Sequence, residues 1–358
     1  METKTLRAFF KLLCKSLLVM LPLLILQIYL RSCQLAYSDN EVPYYNWVKK
    51  LKGNGFDVVI IGDSTCNAAY LPNILGENVV NISLGGVTPI ENYHLFQNYI
   101  KNNKKPKVCY ISYADMHMQL IDNFYTRVLY SHILTFPQQV EIFSQARKFG
   151  ETQILVAGWP EKWLSTYFYS PSVYQPSLMA SSFGDRLEHN RHLYHNAGIH
   201  LGSYMSRENG VNQAMEPYTK DEFAASDMCS FYYERLIGLC QKEGITIRLV
   251  KLPVSPPVTH SQKYVGEFNS FYESLQEKYP GITIDWFQDG FDQHDFADWH
   301  HMNLVGATRF SQMIRERYPE DFSDAPKSQR TKEGLEDYLD ISSSPELKEY
   351  LSQQLQSR

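Results

Sequence analysis

The sequence contains few cysteines and no cysteine motif. Its six cysteines, at positions 14, 33, 66, 109, 229 and 240, show no Cys-x-x-Cys pair, so we predict neither a zinc site nor an obligatory disulfide. The motifs GxxxxGK[ST], GxGxxG after a strand, and HExxH do not occur, which leaves nucleotide-binding and zinc-protease classes without support. The formal charge is only -5 and no basic run carries interleaved aromatics. Nucleic acid is therefore not an expected partner, and no cofactor is predicted.

What the chain does have is enough apolar residues for a large core. Of its 358 residues, 44% are hydrophobic and 14% aromatic, a composition typical of globular proteins rather than of disordered or disulfide-stapled chains.

The N-terminus resembles a membrane anchor. Basic residues precede an uncharged stretch, 16–30, that Arg31 ends, a pattern that keeps the N-terminus in the cytoplasm. Fifteen residues span roughly 22 Å, so crossing a core of about 30 Å requires the span 12–33, with flanking charges reaching the headgroups. We predict that residues 1–33 are a retained signal anchor, which places the rest outside the cytoplasm. A signal peptide cleaved after 36–38 and a lipoprotein at Cys33 remain as alternatives.

Five short apolar runs, continuous rather than alternating, predict strands buried on both faces. They cover 57–61, 78–82, 107–112, 245–250 and 282–286. Helical periodicity lies between and after these runs, at 67–75, 89–103, 228–243, 261–278 and 304–317. Thr88, before Pro89, is the expected N-cap of the second of these helices. This order predicts an α/β protein with three layers, α/β/α, around a flavodoxin-like, parallel, five-stranded sheet.

The remaining segments define the expected domain organisation. Residues 34–55 form a spacer, and 56–318 form the main domain. A long insertion, mostly helical or irregular, follows the third strand at about 116–227. Residues 319–358 form a polar C-terminal tail.

A serine follows the first predicted strand directly, in Gly62-Asp63-Ser64. Ligands of open α/β sheets bind beyond the carboxyl ends of the strands, so Ser64 stands where a reactive side chain would be presented. A helix starting near Asn67 would aim its free N–H groups at the same place. The alternative is a serine that only turns the chain and caps that helix.

An Asp-x-x-His sequence, Asp298 to His301, precedes the last predicted helix. A serine hydroxyl needs a general base, and a histidine base needs a carboxylate to hold its tautomer. Asn303 is the expected N-cap of the helix that follows. A competing hypothesis is a metal site made of carboxylates and imidazoles; its ligands would be His294, Asp295, Asp298, His300 and His301.

Two other features have simpler explanations. His189, His192 and His195 recur every three residues in a polar stretch, which is more typical of an exposed face than of a metal site. The proline-rich segment 251–257 predicts a rigid loop at the rim of the cleft, with or without a substrate contact.

Together these motifs resemble those of the SGNH, or GDSL-like, hydrolase superfamily. The strand ending in Gly-Asp-Ser at Ser64 matches its first block, Asn-Ile-Ser-Leu-Gly-Gly ending at Gly86 resembles its second, and Asp298 with His301 matches its last. The resemblance implies a catalytic triad of Ser64, Asp298 and His301, and an oxyanion hole formed by the N–H groups of Ser64 and Gly86.

The third block departs from the family pattern. Gly-x-Asn-Asp falls on Ser-Tyr-Ala-Asp ending at Asp115, so the oxyanion-hole asparagine is replaced by Ala114. Losing one such donor costs on the order of 10² to 10³ in rate unless another group replaces it. The two block aspartates, Asp63 and Asp115, are expected to contact substrate.

This departure and the N-terminal anchor resemble the branch of the family that handles acyl groups on cell-envelope polymers. The resemblance implies an extracytoplasmic serine esterase or O-acyltransferase that acts on acyl esters, acetyl above all, through an acyl-Ser64 intermediate. The implied partners are an acylated envelope polysaccharide and a multi-spanning membrane-bound O-acyltransferase. Two alternatives stay open: a non-catalytic glycan-binding scaffold of a membrane acylation complex, and a metal-dependent hydrolase centred on 294–301.

Overall fold

The computed structural model describes residues 3–32, 45, 48–167, 216–288 and 290–323. Its strands, in chain order, are β1 (Val58–Gly62), β2 (Val79–Asn81), β3 (Val108–Ser112), β4 (Tyr218–Lys220), β5 (Thr246–Lys251), β6 (Val258–His260) and β7 (Thr283–Trp286). Five of them form one parallel sheet in the order β2-β1-β3-β5-β7, and β4 pairs in parallel with β6. All five predicted strands are therefore present, in a flavodoxin-like order.

Helices connect the strands, as predicted. They are α1 (Thr3–Ser32), α2 (Ser64–Ala69), α3 (Pro72–Leu75), α4 (Pro89–Asn102), α5 (Asp115–Gln119), α6 (Phe136–Phe149), α7 (Trp159–Ser165), α8 (Asp227–Glu243), α9 (Gln262–Lys278) and α10 (Leu304–Arg317). The cap residues expected from the sequence are in place: Thr88 begins α4 in a capping box, and the Asn303 side chain accepts from Val305 N–H and Gly306 N–H.

The sheet is buried on both faces. Successive side chains of β1 point to opposite sides, because a strand has a period of two. Val59 and Ile61 pack into a core that includes residues of α4, α8 and α9, whereas Val58 and Ile60 pack into a second core with residues of α3 and α10. This accounts for the unbroken apolar runs of the sequence and gives the three layers α/β/α.

The small β4-β6 sheet is a feature that sequence patterns missed. Each strand has only three residues, and β4 is largely exposed, so neither carries the apolar signature of a buried strand. The rest of the insertion is partly helical, as expected, with α5 to α7 and a π-helical turn at Phe124–Leu129. Residues 168–215, with the three spaced histidines, and the tail beyond 323 lie outside the described residues, as does most of the spacer 34–55.

Helix α1 contains one segment apolar enough to cross a membrane. The segment Arg7–Tyr29 has 23 residues with a mean hydropathy of 2.2, and none of it is buried against the protein. At about 1.5 Å per residue it is roughly 35 Å long, which exceeds a hydrocarbon core of about 30 Å. The helix runs through Lys11 and Lys15, so it is longer than the uncharged stretch suggested. A signal sequence has the same properties, and the retained anchor stays a prediction.

Candidate active site

Ser64 lies at the carboxyl end of β1, an interior strand of the sheet, as the first residue of α2. The helix begins three residues earlier than the sequence suggested, because Asp63 is its N-cap: Asp63 Oδ1 accepts from Thr65 N–H at 2.9 Å and from Cys66 N–H at 3.3 Å. The cap is therefore Asp63 rather than the serine itself, which leaves the Ser64 hydroxyl for other partners. Gly62 is required here, since a Cβ would lie 2.0 Å from Ser112 O.

The hydroxyl of Ser64 meets the imidazole of His301 across 237 residues of sequence. Ser64 Oγ lies 2.8 Å from His301 Nε2, and His301 Nδ1 lies 2.6 Å from Asp298 Oδ2. Both distances are those of hydrogen bonds. With a carboxylate on Nδ1, the tautomer consistent with this network carries its proton there and leaves Nε2 to accept the serine proton.

The turn that carries His301 is tightly closed. Asp298 Oδ1 accepts from the N–H groups of His300 and His301 at 2.8 and 2.7 Å, and Phe296 forms an antiparallel bridge with Met302. Burial raises the pKa of Asp298, but the hydrogen bonds that its carboxylate accepts from the His301 ring and from His300 N–H outweigh burial and hold that pKa well below the usual value. Asp298 is thus an anion that orients His301 and would stabilise its cation.

The loop of the expected oxyanion hole is held against the turn that bears Ser64. Leu84 N–H donates to Gly62 O at 3.2 Å, and Asn67 Nδ2 donates to Ser83 O at 2.8 Å. Gly86 has a φ of +70°, and a Cβ there would lie 2.9 Å from the Asn123 amide. A glycine is required for both reasons. Ala114 supplies no side-chain donor, and its N–H donates to Asp63 Oδ2 at 2.7 Å.

No family model and no curated protein matches this chain.

Asp63 has a second partner that the sequence did not suggest. His117, on α5, places its Nδ1 2.6 Å from Asp63 Oδ2, and both side chains are buried. Burial opposes the charge of each group, but their mutual attraction lowers the pKa of Asp63 to about 2 and raises that of His117 above its usual value. The pair is an internal ion pair that ties α5 to the turn of Ser64.

Because of this pair, we expect the free energy of unfolding to depend on pH above about pH 6.5. Because the folded-state pKa of His117 lies above 6.5, its contribution is fully present below that pH and is lost as pH rises through the raised pKa. We expect urea unfolding of the full-length protein to show falling stability above about pH 6.5, with a slope of at most roughly 1.4 kcal/mol per pH unit. The His117→Gln variant should lack this component. His294→Gln, at a side chain 80% exposed, is the control; parallel wild-type and His117→Gln profiles would contradict the assignment.

Beside Ser64 and His301 lies a cavity of about 270 Å³, lined in part by their chain neighbours Thr65 and His300. Of the two carboxylates expected to contact substrate, Asp115 lines this cavity, whereas both oxygens of Asp63 are bonded within the protein. The segment 251–257 also contributes, through Lys251 to Val254. The cavity is largely apolar, as binding pockets for small organic groups are.

Only three of the five residues expected to bind a metal lie close together. Donor atoms of Asp298, His300 and His301 lie within 4.8 Å of one another. Asp295 instead pairs with Arg309 across the turn, and the His294 side chain is exposed. Since His301 already bonds Ser64 and Asp298 through its two nitrogens, a metal ion on its ring would have to displace one of them. Burial and the nearby His301 lower the pKa of His300 to about 4, so this ring is neutral at physiological pH.

Proposed function

We propose that this protein is an SGNH-type serine esterase or O-acyltransferase with Ser64 as its nucleophile. The observation that carries the proposal is the continuous hydrogen-bonded series Ser64–His301–Asp298 at the carboxyl edge of a parallel sheet. Nucleophile, base and orienting carboxylate in this geometry recur in acyl-transfer enzymes of unrelated folds. The matching sequence blocks and the adjoining cavity are additional support.

The proposed reaction has two acyl-transfer steps. His301 Nε2 takes the proton of Ser64 as Oγ attacks the ester carbonyl, and the imidazolium formed is stabilised by Asp298. The developing oxyanion accepts hydrogen bonds from the N–H groups of Ser64 and Gly86. The tetrahedral intermediate then collapses, His301 returns the proton to the leaving alcohol, and an acyl group stays on Ser64. Water or a sugar hydroxyl attacks this ester in the second step, with His301 again as base.

A fluorophosphonate probe should label the full-length protein on Ser64, because the probe traps a serine whose proton a neighbouring base accepts. Peptide mass spectrometry locates the label, and heat-denatured protein is the control. Labelling elsewhere, or ester hydrolysis by a protein that stays unlabelled, would contradict Ser64 as nucleophile. Hydrolysis that a chelator abolishes would favour the metal-dependent alternative, and glycan binding without labelling or turnover would favour the scaffold.

Helix α1 and the resemblance to envelope acylation proteins together support the proposed setting. In it, α1 anchors the protein as a single-pass membrane protein with its sheet domain outside the cytoplasm. The substrate is then an acyl ester of a cell-envelope glycan, and a multi-spanning O-acyltransferase is the proposed partner. Intact mass spectrometry after incubation with an acyl donor tests this, since an acyl mass on Ser64 that a glycan removes faster than water identifies a transferase.

A further inference from the structure

Two lysines and one aspartate face one another at the wall of the cavity. Lys251 Nζ lies 3.1 and 3.3 Å from the two Asp115 oxygens, and Lys220 Nζ lies 3.0 Å from Asp115 Oδ2. Tyr264 also donates its hydroxyl to Asp115. All three charged residues line the cavity.

The charges in this cluster do not balance. Burial lowers the pKa of Lys251 to about 8 although Asp115 opposes this, so the amine is largely protonated at neutral pH. Burial also opposes ionisation of Asp115, but Lys251 and Lys220 outweigh it and lower its pKa to about 2. His260, which faces the cluster from β6, adds no charge, since burial and the two lysines lower its pKa to about 4. Among the described residues that line the cavity, two cations thus face one anion.

The two lysines differ in their access to the cavity. Lys251 is buried, bonds Tyr264 as well as Asp115, and lies 3.6 Å from the centre of the Phe268 ring. Lys220 is more accessible, with a side chain 22% exposed. Strand β4 carries it to the cavity together with Tyr218, whose ring stacks on Trp299 at 5.7 Å and an interplanar angle of 18°.

We propose that this cavity recognises a single carboxylate next to the ester that Ser64 attacks, with Lys220 as its direct partner. The inference rests on the proposed function and specifies its substrate class. One unbalanced positive charge in an apolar, partly enclosed space favours a monoanion, because water screens the attraction less there than at the surface. A dianionic phosphate fits less well, since Asp115 would repel its second charge. The stacked rings of Tyr218 and Trp299 offer an apolar face to the part of the substrate that carries the carboxylate.

The carboxylate can belong to either side of the ester, and paired substrates distinguish the two cases. The p-nitrophenyl monoester of glutaric acid against p-nitrophenyl valerate tests an acidic acyl group. Mono-O-acetyl methyl glucuronoside against the same ester of methyl glucoside tests an acidic sugar. We expect one acidic member to have a kcat/KM at least about tenfold above that of its neutral counterpart, the effect of one charge-assisted hydrogen bond.

The Lys220→Met variant should lower that acidic-to-neutral ratio about tenfold, whereas Lys220→Arg, which keeps the charge, should retain it. The matched control is Lys263→Met, at a lysine that pairs with Glu222 and Glu267; its ratio should equal that of wild type. Equal rates within both substrate pairs, or a ratio that Lys220→Met leaves unchanged, would overturn the proposal.

Failure of the proposed function is recognised separately. If wild type turns over none of the four esters, calorimetric titration of the Ser64→Ala protein with methyl glucuronoside, methyl glucoside, glutarate and valeramide still measures the subsite. Binding of an acidic compound that Lys220→Met weakens would support the subsite without the esterase. If none of the four compounds binds, or if acidic and neutral compounds bind equally well, the proposed carboxylate subsite is refuted.

Discussion

Replacing Ser64 by alanine is expected to lower kcat for p-nitrophenyl acetate by about 10⁴-fold or more. The loss is large because Ser64 Oγ is the atom that would carry the acyl group. Without the Ser64 hydroxyl, His301 also lacks the proton that it would accept. The fold should persist, since Ser64 is the first residue of α2 and the cap of that helix is Asp63. The measurement is steady-state hydrolysis by the full-length protein in detergent.

Two further variants make this result specific. Ser270→Ala, on an exposed part of α9, should retain wild-type kcat. Combining Ser64→Ala with His301→Ala should cost little more than Ser64→Ala alone, because residues that act as one unit have non-additive effects. Multiplicative losses in the double variant, or residual activity within tenfold of wild type in Ser64→Ala, would contradict a serine triad.

Replacing Asp63 by alanine is expected to lower the free energy of unfolding by about 3–5 kcal/mol, because it removes one partner of a buried ion pair. The change also removes the cap of α2 and the acceptor for Ala114 N–H. The measurement is urea unfolding of the full-length protein, followed by the near-ultraviolet signal of its aromatic core.

The opposite end of β1 supplies a matched control for this prediction. Asp57 pairs with Lys104 and Lys107, whose side chains are exposed, so Asp57→Asn should cost only about 0–1 kcal/mol. Asp63→Asn is a milder variant for the case in which the alanine protein fails to fold; it keeps an oxygen for the cap but loses the charge that His117 needs. Equal stabilities of Asp57→Asn and Asp63→Asn would refute the buried ion pair.

Local patterns were sufficient to predict the main elements of this fold. The apolar run from Val58 to Ile61 predicted a strand because both of its faces are buried, and Thr88 and Asn303 marked helix starts because caps act within three residues. Ser64, Asp298 and His301 could be selected as candidate nucleophile, carboxylate and base because each belongs to a short sequence motif. Their catalytic role stays a prediction that the Ser64 experiments test.

The partners of the buried carboxylates could not be selected in this way. His117 and Lys251 carry no motif, and nothing local separates them from the other histidines and lysines of the chain. Their significance comes from burial, which makes an unpaired charge costly and so selects an opposite charge from a distant segment. Lys220 was missed for a related reason, since the three-residue strand that positions it is too short and too exposed to leave an apolar pattern.

Residue patterns alone were enough to predict the elements of the main sheet, their parallel order and the turns that bear Ser64 and His301, because hydrogen bonding, capping and alternation operate over a few residues. The folded arrangement was needed to show which turns meet, that Asp63 bonds both the start of α2 and His117, and that Lys220 and Lys251 share Asp115 in one cavity. These pairings join segments up to 237 residues apart in the sequence, and the distances between them are set when the two sides of the sheet are packed and buried.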